Sequence, residues 1–314
     1  MKEELPKKGI TRRAFMRSVS AAGLSVATAP PLAEQAINLL AGETIEQQKQ
    51  LLIEHLQQRY SKKDGPKIRI DVRAPDLQTR EENFKGGDVM VTHINSAMAE
   101  LVTLQNLSHV LSQYPPEVIQ QNVHRIGVGA GLTQEWLFPL PIGGIAERHK
   151  RNGGHQLITT IHSLAMTAQV PTNILRPYFV ALGKTLREST THHEIGHLLL
   201  MNDADDYRDW IALNPPGFTY PAPGLDDLNS KPLGFARGYG QMSHHEDMAT
   251  VFEAMMVDYK DLLRRVESTN DEVLGNKIKY VKNKLKNMDR RFTDGYWEDL
   301  SNKRISEKYW KPAV

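Results

Sequence analysis

The chain has 314 residues, of which 40% are hydrophobic, enough to bury a substantial core in one large domain or two ordinary ones. Its 39 basic and 37 acidic residues give a net charge of +2, which excludes the basic footprint of a nucleic-acid-binding protein. The absence of cysteine excludes disulfides, thiolate ligands, a thiol nucleophile and cysteine-linked lipid, so a metal ion here needs His, Asp or Glu.

The N-terminal segment has the order of an export signal. The basic stretch Thr11-Arg12-Arg13-Ala14-Phe15-Met16-Arg17 precedes a short apolar run from Ser18 to Ala29, and Pro30 follows. The basic stretch resembles the twin-arginine export motif of bacteria. This resemblance implies a signal peptide over residues 1–36, the twin-arginine export machinery as a partner, and a periplasmic or secreted protein. A basic amphipathic helix at the start of the mature protein is the alternative, and an uncleaved signal acting as an anchor stays open.

Hydrophobic periodicity predicts a mostly helical α+β chain with a small sheet. Residues 37–66 are assigned to an N-terminal helix, Thr44 to Tyr60, and a linker; residues 67–314 form the main domain. The predicted strands are Ile68 to Val72, Val123 to Val128 and His155 to Ile161. The predicted helices are Asp88 to Leu111, Thr172 to Leu200 with a break near Ser189 to Thr191, and His245 to about Arg290 with a break near Asn270.

An irregular stretch from Asn202 to Gly240 separates the last two helical regions. It is rich in Pro, Gly and Asp, and loops of this length inside a domain are usually functional or disordered. Its aromatic residues Trp210, Phe218 and Tyr220 favour an ordered segment that packs on the domain over a flexible linker.

A metal-binding motif lies inside the helix that ends at Leu200. His193-Glu194-Ile195-Gly196-His197 is an H-E-x-x-H sequence, and positions i and i+4 of a helix lie on one face. His193 and His197 can therefore present two imidazole nitrogens to one ion, while Glu194 can reach a water molecule beside it. A solvated helix face is the alternative interpretation.

A catalytic zinc ion needs a third protein ligand and an open position for water. Asp203 stands where an extended H-E-x-x-H motif places its third ligand, but Leu200 replaces the glycine that would let the chain turn there. Glu246 is the stronger candidate, because it lies opposite an apolar helical face made by Met248, Val251, Phe252, Met255 and Met256.

The H-E-x-x-H motif, followed some forty residues later by Tyr239-Gly240 and then by Glu246, resembles the gluzincin metallopeptidases. The resemblance is greatest to the catalytic domain of anthrax lethal factor and related small bacterial peptidases, and it covers roughly residues 150–260. It implies a zincin-like fold and Zn²⁺ held by His193, His197 and Glu246. It also implies that Glu194 is the general base and Tyr239 the phenol that stabilises an oxyanion, with a peptide or protein as substrate.

One position departs from the family pattern. The family often has a glutamate four residues after the third ligand, hydrogen-bonded to a metal histidine, and this chain has Thr250 there. Either Thr250 or Glu253 is therefore expected to orient the histidine. His244 and His245 are weaker candidates for oxyanion donors, and the strand His155 to Ile161 is a candidate for pairing with substrate main chain by edge addition.

The helical segment around Leu274 to Met288 carries five lysines, at positions 277, 279, 282, 284 and 286. Docking onto the core is the expected role of its apolar face, and weak contact with the cell envelope is the alternative. The sequence thus favours an exported zinc peptidase. A non-catalytic zinc-holding or envelope-binding protein and a zinc amidase acting on cell-wall peptide are the alternatives.

Overall fold

The computed structural model describes residues 44–61, 68–72, 89–92, 97–123, 125–129, 131–134, 140–142, 144–149, 154–160, 176–201, 204–221, 227–228, 230–305 and 307–310. Asp203 and the predicted signal peptide lie outside these residues. The predicted domain boundaries stay predictions.

The described residues form eight α-helices and seven β-strands. The helices are α1 Ile45–Tyr60, α2 Ala97–Leu111, α3 Pro116–Asn122, α4 Arg176–Leu200, α5 Ala204–Ile211, α6 His244–Thr269, α7 Glu272–Met288 and α8 Asp294–Ser301. The strands are β1 Arg69–Val72, β2 Val89–Thr92, β3 Arg125–Gly129, β4 Gly131–Gln134, β5 Leu140–Ile142, β6 Gly144–His149 and β7 Gly154–Thr160. Short 3₁₀ helices span Gly238–Met242 and Glu307–Trp310. The prediction of a mostly helical α+β chain is confirmed.

Two small sheets are present in the described part of the chain. The first has the order β1-β3-β7-β6, with β1 parallel to β3, β3 parallel to β7, and β6 antiparallel to β7. The second has the order β2-β4-β5 and is antiparallel. Strand β7 contains most of the predicted strand His155 to Ile161, but it lies between β3 and β6. The prediction that it pairs with substrate by edge addition is wrong, because both of its edges are already hydrogen-bonded to neighbouring strands.

Two predicted helices differ from the structure. The region predicted as one helix from Asp88 to Leu111 contains strand β2 and then helix α2, because Val89-Met90-Val91-Thr92 pairs with β4. The predicted break near Ser189 does not occur, and α4 runs unbroken to Leu200. The hydroxyl of Ser189 donates to the carboxylate of Glu253 on α6 instead of capping a new helix.

Helix α4 occupies the middle of the fold. It packs against strands β6 and β7 of the first sheet, against α2, and along α6. Gly196 allows the close approach to α6, because a Cβ atom there would lie 2.9 Å from Cδ1 of Phe252 and 3.4 Å from Cα of Ala249. The core around this contact is fully buried and includes Ile195, Leu199, Met248, Val251, Phe252 and Met255.

The long stretch after α4 is held to the core by a buried carboxylate. Asp247 on α6 accepts hydrogen bonds from Nε1 of Trp210 at 3.0 Å, the hydroxyl of Tyr220 at 2.9 Å, and Nζ of Lys277 at 2.7 Å. Lys277 and Asp247 are both fully buried. The prediction of an ordered, packed segment is thereby confirmed for Trp210 and Tyr220. This stretch also contains helix α5, which was not predicted from the sequence.

The basic helix predicted after Thr269 is α7, and its apolar face docks onto the core through Leu274, Ile278, Val281 and Leu285. Lys277 is not one of its solvent-facing lysines, because it turns inward to Asp247 and to the carbonyl oxygen of Gly234, at 2.8 Å. Contact between α7 and a cell envelope stays a prediction. Among the helices of the described residues, none combines the length and the apolarity needed to cross a bilayer.

Candidate metal centre

Helix α4 presents both histidines of the H-E-x-x-H motif at one point. Their Nε2 atoms lie 3.1 Å apart, and their ring centroids lie 4.8 Å apart. Between them in sequence, Ile195 faces the core with an exposed fraction of 0%. The motif is therefore on a two-faced helix, as the sequence analysis predicts, and the two imidazoles share the face opposite the core.

The first turn of α6 brings a carboxylate to the same point. Oε2 of Glu246 lies 2.9 Å from Nε2 of His193 and 3.6 Å from Nε2 of His197. Ser243 caps this helix, because its Oγ accepts the backbone N–H of Glu246 at 3.3 Å. The sequence Ser-x-x-Glu is typical of a capping box, in which the glutamate returns to the cap. Here the glutamate carboxylate bonds the histidines instead.

These three side chains form a group that could hold a metal ion. Their ligand atoms all lie within 4.8 Å of one another. A tetrahedral zinc ion with bonds of about 2.0–2.1 Å separates its ligands by roughly 3.3–3.4 Å. The three separations, 2.9, 3.1 and 3.6 Å, bracket that value. The donor set fits zinc, and the structure brings together the three side chains that the sequence predicts as ligands.

The charge state of this group follows from its burial and its hydrogen bonds. Burial alone would lower the pKa of His193, but hydrogen bonds to Glu246 and Glu253 outweigh it and raise the pKa to about 10. Burial alone would raise the pKa of Glu246, but hydrogen bonds from His193 and His197 hold it well below its usual range. Without a metal ion, the group is an ion pair between an imidazolium and a carboxylate.

Glu194 lies beside the histidines and is almost enclosed. Its exposed fraction is 7%, and burial raises its pKa, which the neighbouring His193 and His197 offset only in part. Glutamates that accept and release protons near neutral pH in enzymes typically have a raised pKa.

Tyr239 reaches the site from the 3₁₀ helix Gly238–Met242. The backbone N–H of Tyr239 donates to the carbonyl of Leu228 at 2.8 Å. Gly238 permits this close pairing, because a Cβ atom there would lie 1.8 Å from the carbonyl oxygen of Asp227. The ring of Tyr239 lies 5.7 Å from that of His193. Burial, followed by the charges of Glu246 and Glu194, raises its pKa, so the phenol keeps its proton.

The far side of His193 is occupied by Glu253, one of the two residues proposed to replace the usual glutamate. Nδ1 of His193 lies 3.2 Å from Oε2 of Glu253. The other candidate, Thr250, donates its hydroxyl to the carbonyl of Asp247 at 3.0 Å. Ser189 and Arg237 also bond Glu253, and the sequence analysis missed both. Ser189 lies one helical turn before His193, so helical spacing was a signal for it, whereas no local pattern indicated Arg237.

His244 and His245 stack on each other with their centroids 4.0 Å apart, and each also meets the ring of Tyr207 on α5. Their role as oxyanion donors stays a prediction. A fully buried histidine, His192, lies behind the site, with its Nδ1 2.5 Å from the hydroxyl of Tyr114. Burial, with a contribution from His109, lowers the pKa of His192 to about 3, so this imidazole is neutral.

Comparison with known proteins gives one similar structure. No protein-family model matches the chain, and none of the curated proteins matches it. The structure is similar to a crystal structure of a "putative zinc-binding metallo-peptidase" from Bacteroides caccae, with a TM-score of 0.43 and 15% sequence identity. The likeness covers 84% of this chain and 95% of the other.

Proposed function

We propose that this protein is a zinc-dependent peptidase that hydrolyses peptide bonds outside the inner membrane. The observation that carries the proposal is the position of Glu246, whose Oε2 lies 2.9 Å and 3.6 Å from Nε2 of His193 and His197. Two imidazoles and one carboxylate are a ligand set of catalytic zinc sites, which leave one position open to solvent and substrate.

The chemistry divides between the ion and the surrounding side chains. Zinc held by His193, His197 and Glu246 would lower the pKa of a bound water molecule to about 7 and would polarise a carbonyl group. Glu194 accepts a proton from the attacking water and later delivers it to the amine nitrogen of the leaving product. Its raised pKa suits both steps, because a carboxylate with an ordinary pKa returns a proton poorly near neutral pH.

Tyr239 stabilises the oxyanion that forms on the substrate carbonyl. Its hydroxyl stays protonated and can donate a hydrogen bond as negative charge develops there. Donors of this kind typically contribute about a hundredfold or more to turnover. The position of its ring beside His193 supports this role.

Export by the twin-arginine machinery is supported by the basic stretch Thr11 to Arg17 and by the short apolar run that follows it. Because that machinery carries folded proteins, zinc would be loaded before export. A non-catalytic zinc-holding protein and a cell-wall amidase share the same ligand set, so the experiment must separate hydrolysis from metal binding.

The test compares full-length wild-type protein with Glu194→Gln and Glu246→Gln, measuring zinc content and the new termini formed in a peptide library by mass spectrometry. We expect one zinc ion per wild-type chain, with peptide cleavage. Glu194→Gln should keep the zinc and lose about 10²–10⁴-fold in turnover, and Glu246→Gln should lose the zinc. Glu267→Gln is the matched control, because Glu267 is exposed and lies on α6, the helix of Glu246.

Cell fractionation of the same cultures locates the protein. Changing Arg12 and Arg13 together to lysine should retain it in the cytoplasm; an unchanged location contradicts the export proposal. Zinc binding without any peptide cleavage would contradict the peptidase and favour the zinc-holding protein, and cleavage limited to cell-wall amides would identify an amidase.

A further inference from the structure

The two ring nitrogens of His193 are engaged by two carboxylates of the same helix. Glu246 and Glu253 are seven residues apart on α6, which places them two turns apart on one face. Oε2 of Glu246 lies 2.9 Å from Nε2 of His193, and Oε2 of Glu253 lies 3.2 Å from Nδ1. Glu253 thus bonds the nitrogen that the candidate metal site leaves free.

Glu253 is itself held from two sides. The hydroxyl of Ser189, on α4, donates to Oε1, and the guanidinium of Arg237 donates to Oε2. The side chain of Glu253 is 6% exposed and that of Arg237 is 34% exposed, so a buried carboxylate is tied to a cation at the edge of the site. The guanidinium carbon of Arg237 also lies 6.0 Å from the ring centroid of Tyr239.

The carboxylates around His193 explain why a cation lies beside Glu253. Glu194, Glu246 and Glu253 place three carboxylates in one enclosed region, with exposed side-chain fractions of 24% for Glu246 and 6% for Glu253. A divalent ion and the guanidinium of Arg237 together balance the three negative charges. An unpaired buried carboxylate is costly, so the guanidinium of Arg237 stabilises Glu253 in the position where it accepts the N–H of the imidazole.

We propose that Glu253, fixed by Ser189 and Arg237, is the positioning residue of His193: it accepts Nδ1–H, which selects the tautomer whose Nε2 is free for the metal ion. The proposal rests on the metal site of the proposed function. It replaces the glutamate expected at position 250 by one three residues further along α6. It also makes Arg237, which bonds neither histidine, a determinant of metal affinity.

The test measures the zinc dissociation constant of the full-length protein by competition with a chromophoric chelator. Glu253→Gln removes the charge with little change of shape, and we expect about 10–100-fold weaker zinc binding once the constant is corrected for the proton that His193 releases. Arg237→Met should also weaken binding, and Arg237→Lys should restore part of the loss. Glu267→Gln on the same helix is the control and should bind zinc as the wild type does.

Arg237→Met separates positioning from simple electrostatics. A cation that acted only by its charge would repel zinc, so its removal would tighten binding; a cation that acts through Glu253 must loosen it. In the cobalt-substituted protein, Glu253→Gln should also shift the visible absorption bands, because the orientation of His193 changes, which a role in stability alone would not cause.

Zinc binding by Glu253→Gln within threefold of the wild type, or tighter binding by Arg237→Met, would overturn the proposal. If Glu253→Gln does not fold, the zinc dissociation constants of Arg237→Met and Arg237→Lys test the proposal. Arg237→Met should then bind zinc more weakly than Arg237→Lys. A wild-type protein that binds zinc but cleaves no peptide ends the peptidase proposal and leaves this one standing. A wild-type protein that binds no zinc ends both.

Discussion

His193 is the most constrained side chain of the site. Its exposed fraction is 6%, and its two nitrogens meet Glu246 on one side and Glu253 on the other. Burial alone would lower its pKa, but hydrogen bonds to these two carboxylates raise it to about 10 when no metal ion is present. A zinc ion bound at Nε2 must therefore displace a proton.

This displacement predicts how zinc affinity depends on pH. The metal-free form holds the proton up to about pH 10, so low pH favours the metal-free form. The affinity for zinc should rise about tenfold per pH unit between roughly pH 7 and 9. Chelator competition at a series of pH values, corrected for protonation of the chelator, measures the slope. A flat profile over this range would show that His193 is neutral before zinc binds.

At the level of elements, the site depends on one contact between two helices. Helix α4 supplies His193, His197 and Glu194, and α6 supplies Glu246 and Glu253. Gly196 lies inside the H-E-x-x-H motif and faces α6, where Phe252 packs with an exposed fraction of 0%. The distance between the two helices, and hence between the predicted ligands, is limited at this glycine.

Gly196→Ala should destabilise the protein although alanine favours helix. The gain in helix propensity is at most about 1 kcal/mol, but the new Cβ would lie 2.9 Å from the buried ring of Phe252. We expect the free energy of unfolding to fall by about 1–3 kcal/mol, with weaker zinc binding as the helices separate. Urea denaturation of the metal-free protein measures the loss.

Gly295→Ala is the control for that substitution. Its Cβ would meet Oγ1 of Thr293 at 3.6 Å, an ordinary contact, so stability should be unchanged or slightly raised. Equal effects of the two substitutions would show that the approach of α4 to α6 is not limited by Gly196.

At the scale of the whole molecule, the pair of Lys277 and Asp247 joins four parts of the chain. Lys277 comes from α7, Asp247 from α6, and their partners Trp210 and Tyr220 from α5 and the stretch after it. Asp247 directly follows Glu246, so the network that fixes the long stretch also fixes the turn that carries the predicted third ligand. The ammonium group of Lys277 also lies 4.4 Å from the ring centroid of Phe235.

Lys277→Met should be strongly destabilising, because it leaves the buried carboxyl group of Asp247 without its cation. Removal of one partner of a buried pair typically costs about 3–5 kcal/mol. Adding Asp247→Asn should recover part of that loss in urea denaturation. Lys282→Met, on the same helix, breaks an ion pair with the exposed Asp294 and should cost less than about 1 kcal/mol. A loss of that small size in Lys277→Met would contradict a structural role for the buried pair.

Much of the site followed from the sequence alone, because its signals are local. Helical spacing places His193 and His197 on one face, and the apolar face of α6 predicts that Glu246 points away from the core. The mostly helical α+β class, helix α1, and strands β1, β3 and β7 followed from periodicity in the same way.

Tertiary packing decided the remainder. Contacts between separate elements fix β7 inside its sheet, turn Lys277 inward, and hold Glu253 against Ser189 and Arg237. The hydrophobic periodicity of a helix shows which of its faces is buried but not which other helix that face contacts. The contact depends on how the buried surfaces of α4, α6 and α7 fit together. The sequence therefore determined which residues could bind a metal ion, and the packing of α4 against α6 at Gly196 decided that three of them meet at one point.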